Sequence, residues 1–160
     1  MREIERKFLI EKLSDIPYYF RKSSITQAYI SDSPEVRIRK IDDLYYRTEK
    51  SDGNIVREET EVRITAHEYD LLLQNAIGIA IKKERFYILL SEKLTAEVDI
   101  YSAPLFPLMT VEVEFGSLEE AMKFEAPEWF GREITKDKEY KNKNLALHGL
   151  PKSFEGEKYE

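Results

Sequence analysis

From Glu3 to Phe115 the chain alternates with a period of two residues, and in stretch after stretch one of the two faces is ionic rather than merely polar. Period two is the signature of a β-strand, whose successive side chains point to opposite faces. An ordinary half-buried strand sets an apolar face against a mixed polar one. Here Glu3, Glu5 and Lys7 share one face of the first strand, opposite Ile4 and Phe8. Arg37 and Arg39 alternate with Val36 and Ile38, and Thr48 and Lys50 share a face of the next strand. Glu59, Glu61 and Arg63 are set against Val62 and Ile64. Lys83 pairs with Arg85, Glu97 and Asp99 flank Val98, and Glu112 and Glu114 sit among Val111, Val113 and Phe115.

The pattern predicts strands over 2–10, 25–30, 35–41, 44–50, 55–64, 82–90, 95–101 and 109–115, with Ser51-Asp52-Gly53-Asn54 as a hairpin turn. Eight short strands suffice for an antiparallel barrel or sandwich. Helices punctuate them. Thr65 and Glu68 form a capping box ahead of Leu71, Leu72 and Ala76, with Gly78 as a stop. Ser117 and Glu120 open a second, short helix that ends before Pro127. A third is predicted from about Thr135 to His148, stopped by Gly149. Residues 1–150 read as one domain and 151–160 as a polar tail.

Composition removes several function classes. Lys and Arg number 25 against 31 Asp and Glu, a net charge of −6, which argues against a general nucleic-acid binder. With no cysteine, disulfides, thiolate zinc sites and catalytic thiols are excluded. The opening MREIERKFLI is charged from residue 2, and no apolar run has membrane-spanning length. The expectation is a cytoplasmic protein without nucleic-acid or membrane partners; the oligomeric state stays open, a homodimer included. His67 and His148, in a first helical turn and at a helix end, suit capping or surface roles better than metal ligation.

Two placements of the ionic face compete: a solvated exterior, or the interior of a closed barrel. The segregation by sign favours the interior. Glu-x-Glu recurs at Glu3/Glu5 and Glu112/Glu114, and basic pairs recur at Arg37/Arg39 and Lys83/Arg85. Like charges gathered without partners cost several kcal/mol per ion, a cost that a bound ligand offsets. Clustered carboxylates suit hard cations such as Mg²⁺ or Mn²⁺. Clustered Arg and Lys suit phosphate oxygens. A lumen with both signs therefore fits a polyphosphate carried with its metals.

The same residues carry a family resemblance. Glu3-Ile4-Glu5-Arg6-Lys7 resembles the Glu-x-Glu-x-Lys signature of the CYTH superfamily, the triphosphate tunnel metalloenzymes. Gln27-Ala28-Tyr29-Ile30, Val36-Arg37-Ile38-Arg39, Thr48-Glu49-Lys50, Arg57-x-Glu59-x-Glu61 and Lys83-Glu84-Arg85-Phe86 follow in the family's order. So do Glu97-Val98-Asp99 and Val111-Glu112-Val113-Glu114-Phe115. Pro127–Gly131 and Asp137–Asn142 are similar to the C-terminal motifs of the small bacterial tripolyphosphatase-like branch. The resemblance implies an α+β fold: an eight-stranded antiparallel barrel forming a tunnel, with helices outside. It implies hydrolysis of a triphosphate, above all inorganic tripolyphosphate, with Mg²⁺ or Mn²⁺ as cofactor.

On that reading Glu3, Glu5, Glu112 and Glu114 hold metal, with Glu61 and Asp99 as further acidic candidates. Lys7, Arg37, Arg39, Lys50, Lys83 and Arg85 grip phosphate, and Tyr29 with Lys50 resembles a pair that helps activate water. Trp129 and Phe130 anchor the C-terminal segment, and the last helix closes one mouth with Lys136 or Lys138 reaching inward. The alternatives are a class IV adenylyl cyclase, a thiamine or nucleoside triphosphatase, and a non-catalytic polyphosphate-binding module. No residue pattern reads adenine or offers a ring-stacking platform, and a pure anion binder gains nothing from so many carboxylates.

Overall fold

A computed structural model describes residues 3–51 and 58–154. Its strands are β1 (Glu5–Leu9), β2 (Arg21–Ser31), β3 (Glu35–Ile41), β4 (Leu44–Lys50), β5 (Glu59–Ile64), β6 (Ile77–Leu89), β7 (Thr95–Tyr101) and β8 (Met109–Glu114). The helices are α1 (Ala66–Leu73), α2 (Leu118–Lys123) and α3 (Asn142–His148), with 3₁₀ turns at Leu13–Asp15 and Lys138–Tyr140. The predicted turn residues Asp52, Gly53 and Asn54, and Arg57 of the Arg-x-Glu-x-Glu stretch, lie outside the described residues. All eight strands join one antiparallel sheet in the order β1-β8-β7-β6-β2-β3-β4-β5.

The sheet has the predicted sidedness. Three apolar clusters lie on its outer face and at one end. Phe8, Val98, Val111 and Val113 pack under α2 and against Phe124, Trp129 and Phe130. The Trp129 and Phe130 rings meet edge to face at 4.6 Å, and Phe130 reaches Phe8 at 5.0 Å, so this pair does anchor the C-terminal segment. Ala28 and Ile38 pack under Tyr69, Leu72 and Leu73 of α1. Ile81, Tyr101 and Leu108 pack against Tyr140, Leu145 and Ala146, where α3 docks. Phe154, expected in a polar tail, is buried in that last cluster.

Closure is where the structure departs from expectation. Among the described residues no hydrogen-bonded pairing joins β1 to β5, so the sheet curls into an open wall rather than a closed barrel. The reason lies at the outer edge of β1. Leu9 N–H donates to Arg132 O at 2.9 Å, and Ile134 N–H donates to Lys7 O at 2.8 Å. Lys7 N–H donates to Thr135 Oγ1 at 2.9 Å. Residues 131–135 thus occupy the edge that β5 would need. Gly131 allows this approach, because a Cβ there would stand 2.7 Å from Leu9 O.

The helices differ in detail. Thr65 and Glu68 form the predicted reciprocal box, but α1 ends at Leu73. Gly78 instead lies inside β6 with φ +70°, where β6 loses register with β2 between Gln27 and Tyr29. Ser117 caps α2 by accepting the Glu120 N–H, while the Glu120 carboxylate accepts from Gly116 N–H. The predicted third helix is split. Lys141 adopts an extended conformation (φ −67°, ψ 137°) that separates the 3₁₀ turn from α3. Gly149, at φ 77°, ends α3 as expected.

Candidate active site

The curled sheet surrounds a cavity of about 580 Å³. Glu3, Glu5, Lys7, Tyr29, Arg37, Arg39, Lys50, Lys83, Arg85, Asp99, Glu112 and Glu114 all line it. Alternation puts them there: each is on the inward parity of its strand, and the cross-strand register stacks them. Glu5 pairs with Glu114 and Lys7 with Glu112 across β1 and β8, and Glu112 pairs with Glu97 of β7. The acidic group therefore belongs to β1, β7 and β8. Arg37 and Arg39 lie on β3, in the other half of the sheet.

The basic side is primed for an anion. Among the described residues, Nε of both Arg37 and Arg39 is buried with no hydrogen-bond partner. A buried unsatisfied donor is costly, and a phosphate oxygen would satisfy it. Burial, and then Arg37 beside it, push the Arg39 pKa down. The acidic side is strained in the opposite sense. Glu5 is reached by water within the cavity but walled by protein. That partial desolvation, and then the Glu112 carboxylate, push Glu5 up to about 8. Glu5 and Glu112 are thus neighbouring carboxylates whose oxygens suit a hard cation. Among the described residues no three acidic or histidine side chains already converge as a metal cage. The donor chemistry nonetheless fits Mg²⁺ or Mn²⁺.

Asp99 has a different setting from the other acids. Its Oδ2 lies 2.8 Å from Lys83 Nζ, and its Oδ1 accepts from Arg85 Nε at 2.8 Å. Arg85 closes a second arm onto Oδ2 at 3.0 Å. Burial favours the neutral acid, but Lys83 and Arg85 outweigh it and hold the carboxyl well below the usual range. Both oxygens are engaged, so Asp99 orients the two cations of β6 at the cavity wall. Glu61 is set apart too. It does not line the cavity, and its carboxylate accepts from Thr48 at 3.1 Å and Arg39 at 3.4 Å.

Tyr29 is 2% exposed, and burial pushes its hydroxyl up to about 12. It is a proton donor at neutral pH, not a base. Lys50 stands 3.8 Å from Glu59. Burial, and then the Glu59 carboxylate of β5, push Glu3 up. Lys7 Nζ donates to Tyr140 O at 2.9 Å, tying this predicted phosphate ligand to the C-terminal segment.

That segment supplies lining residues that the sequence reading missed: Thr135, Asp137, Lys141, Asn142 and Lys143. Lys136 and Lys138, expected to reach inward, are exposed and outside the lining. Sequence gives no signal for the choice, because the break at Lys141 resets which side chains face in. Glu35, Glu97 and Thr110 were also missed, yet parity with Arg37, Asp99 and Glu112 marks them. His67 and His148 lie on α1 and α3 and do not line the cavity.

No protein-family model matches the chain. Curated relatives do. The inorganic triphosphatase of Nitrosomonas europaea is 39% identical over 150 residues, covering 92% of this chain and 98% of that protein. The inorganic triphosphatase of Acetivibrio thermocellus is 31% identical over 148 residues, covering 90% and 92%. Among solved structures, the inorganic triphosphatase NE1496 superposes with a TM-score of 0.73 at 35% identity, over 94% of this chain and 98% of that one. A putative adenylyl cyclase from Hippeastrum shares the fold, with a TM-score of 0.58 at 15% identity over 76% and 83% of the two chains. With its charged cavity and near full-length similarity, the chain belongs to the inorganic triphosphatase family, the tripolyphosphatase-like branch of the CYTH superfamily.

Proposed function

We propose that the cavity binds inorganic tripolyphosphate with a divalent metal and hydrolyses its terminal phosphoanhydride. The observation that carries this reading is the division of one cavity between a carboxylate half and an arginine half with orphaned donors. Full-length similarity to proteins named inorganic triphosphatase supports it.

Arg37 and Arg39 present guanidinium N–H groups to phosphate oxygens. Lys83 and Arg85, fixed by Asp99, present theirs from the neighbouring wall. These donors are already in place, so they stabilise charge in the transition state with little reorganisation. Glu3, Glu5, Glu112 and Glu114 would hold Mg²⁺ or Mn²⁺. Such a cation, when bound, neutralises phosphate oxygens and lowers the pKa of water. Tyr29, protonated at neutral pH, donates a hydrogen bond that orients an oxygen, and Lys50 adds positive charge to the same cavity.

The test is direct. With Mg²⁺ present, the protein should release phosphate and pyrophosphate from tripolyphosphate. Glu5→Gln and Glu114→Gln should each lower that rate at least about a hundredfold, the size of losing one electrostatic element of a site, with cooperative unfolding kept. Undiminished turnover in both variants would remove the metal assignment. Tight binding of tripolyphosphate with no metal-stimulated turnover would make the protein a binding module.

A further inference from the structure

β2 stands between β6 and β3 in the sheet. Lys83 and Arg85 line the cavity from β6, and Arg37 and Arg39 line it from β3. Between these two basic walls the inward positions of β2 are Ile25, Gln27 and Tyr29, none of them a cation. Gln27 lines the cavity and is 2% exposed. Among the described residues its Nε2 is buried with no hydrogen-bond partner. The Tyr29 hydroxyl, raised by burial, is drawn back by Arg37 and by the Gln27 amide, yet it takes no hydrogen bond from Nε2.

Register sets this amide where an anion bridging the two walls must pass. Gln27 is directly opposite Arg39 on β3, and Ile25, the next inward position, is opposite Lys83 on β6. Neighbouring strands are about 4.8 Å apart, so the backbones that carry Arg39 and Lys83 are about 10 Å apart with β2 between them. A linear polyanion gripped from both sides crosses Gln27. A buried N–H without an acceptor is costly, and an anionic oxygen is a stronger acceptor than a neutral one. A further cation here would add to a repulsion already felt, since burial, and then Arg37, lower the Arg39 pKa. An amide adds donors without adding charge.

Resting on the reading of the cavity as a triphosphate site, we propose that Gln27 is a further substrate-binding residue, whose Nε2 donates to a phosphate oxygen held between Arg39 and Lys83. It supplies a neutral donor at the middle of the basic half, where its neighbours on β3 and β6 supply charge. The donor goes unpaired in the free protein and is paired by substrate. The side chain therefore costs stability and contributes affinity.

The experiment compares the parent protein with Gln27→Met, which keeps the side-chain length and removes the donors. Thermal midpoints are measured with and without tripolyphosphate, and KM is measured for tripolyphosphate with Mg²⁺. Without ligand, Gln27→Met should melt at or above the parent's midpoint, because a buried unsatisfied donor is gone. Its KM should rise at least about tenfold, the size of one hydrogen bond to a charged group, and the upward shift in midpoint caused by tripolyphosphate should shrink. An unchanged KM overturns the proposal, and so does a lowered ligand-free midpoint with an undiminished tripolyphosphate shift, which would make Gln27 structural only. Gln27→Glu keeps the shape but turns an acceptor toward the phosphate, so its KM should rise further. A parental KM in Gln27→Glu overturns the proposal even if Gln27→Met does not fold. A parent protein that neither turns over tripolyphosphate nor is stabilised by it removes the reading of the cavity itself, and the role of Gln27 with it.

Discussion

Asp99 shares the inward parity of β7 with Glu97, and parity alone makes it one more candidate for a metal. Its closest partners are cations: Lys83 and Arg85 take both oxygens in a buried cluster. Removing one member of such a cluster leaves uncompensated charge, so Asp99→Asn should lower stability by about 3–5 kcal/mol. The carboxyl is depressed in the folded state. Its stabilisation is therefore fully present above the ordinary value near 4 and disappears as pH falls through the folded value. Denaturant titrations from about pH 2 to 7 should show a shallower loss of stability below pH 4 in Asp99→Asn than in the parent. Parallel acid limbs would mean that the Asp99 cluster contributes nothing to acid stability. At this scale sequence is informative about facing and silent about pairing. Alternation placed Glu5, Arg39 and Glu114 in one cavity. It could not say that Asp99 serves the cations, because that depends on the β6–β7 register joining Arg85 to Asp99.

Among the elements, β6 shows how a strong local signal is overridden. Gly78 follows a helical run at a spacing that suits a stop, yet the helix ends earlier and Gly78 takes a positive φ within a strand. Tertiary packing explains the glycine: a Cβ there would collide with the Ala146 carbonyl of α3. Gly78→Ala should therefore combine left-handed strain with a backbone clash and cost about 2–4 kcal/mol. Thermal denaturation checks this, and an unchanged midpoint would show that α3 is able to shift. The strand periods were legible because eight stretches keep period two. Helix ends and the start of β2 were not, since Arg21, Lys22 and Ser24 carry no apolar alternation and owe their pairing to Tyr87, Phe86 and Glu84.

At the scale of the molecule, the sheet is inside out: ionic residues face the cavity, and apolar ones lie under helices. Its open seam could not be read from strand count, because the competitor for the β1 edge is an irregular segment with no strand pattern. Arg6, the outward residue of the opening motif, holds that segment in place. It makes a two-armed contact with Glu133 at 2.9 and 2.7 Å and donates to Ala121 O and Phe124 O. Arg6→Ala should lower stability by about 1–3 kcal/mol while leaving KM for tripolyphosphate unchanged, because the guanidinium points away from the cavity. A raised KM with no loss of stability would instead assign Arg6 to substrate.

β1 lies between β8 and residues 131–135, so both of its edges are paired. Its outer edge depends on a distant part of the chain, since Glu133 is 127 positions downstream of Arg6. The strand that carries Glu5 into the cavity is thus held on one side by a contact that closes a long loop of chain. A nascent chain truncated before Gly131 should hold its arginines in place and yet remain chemically idle.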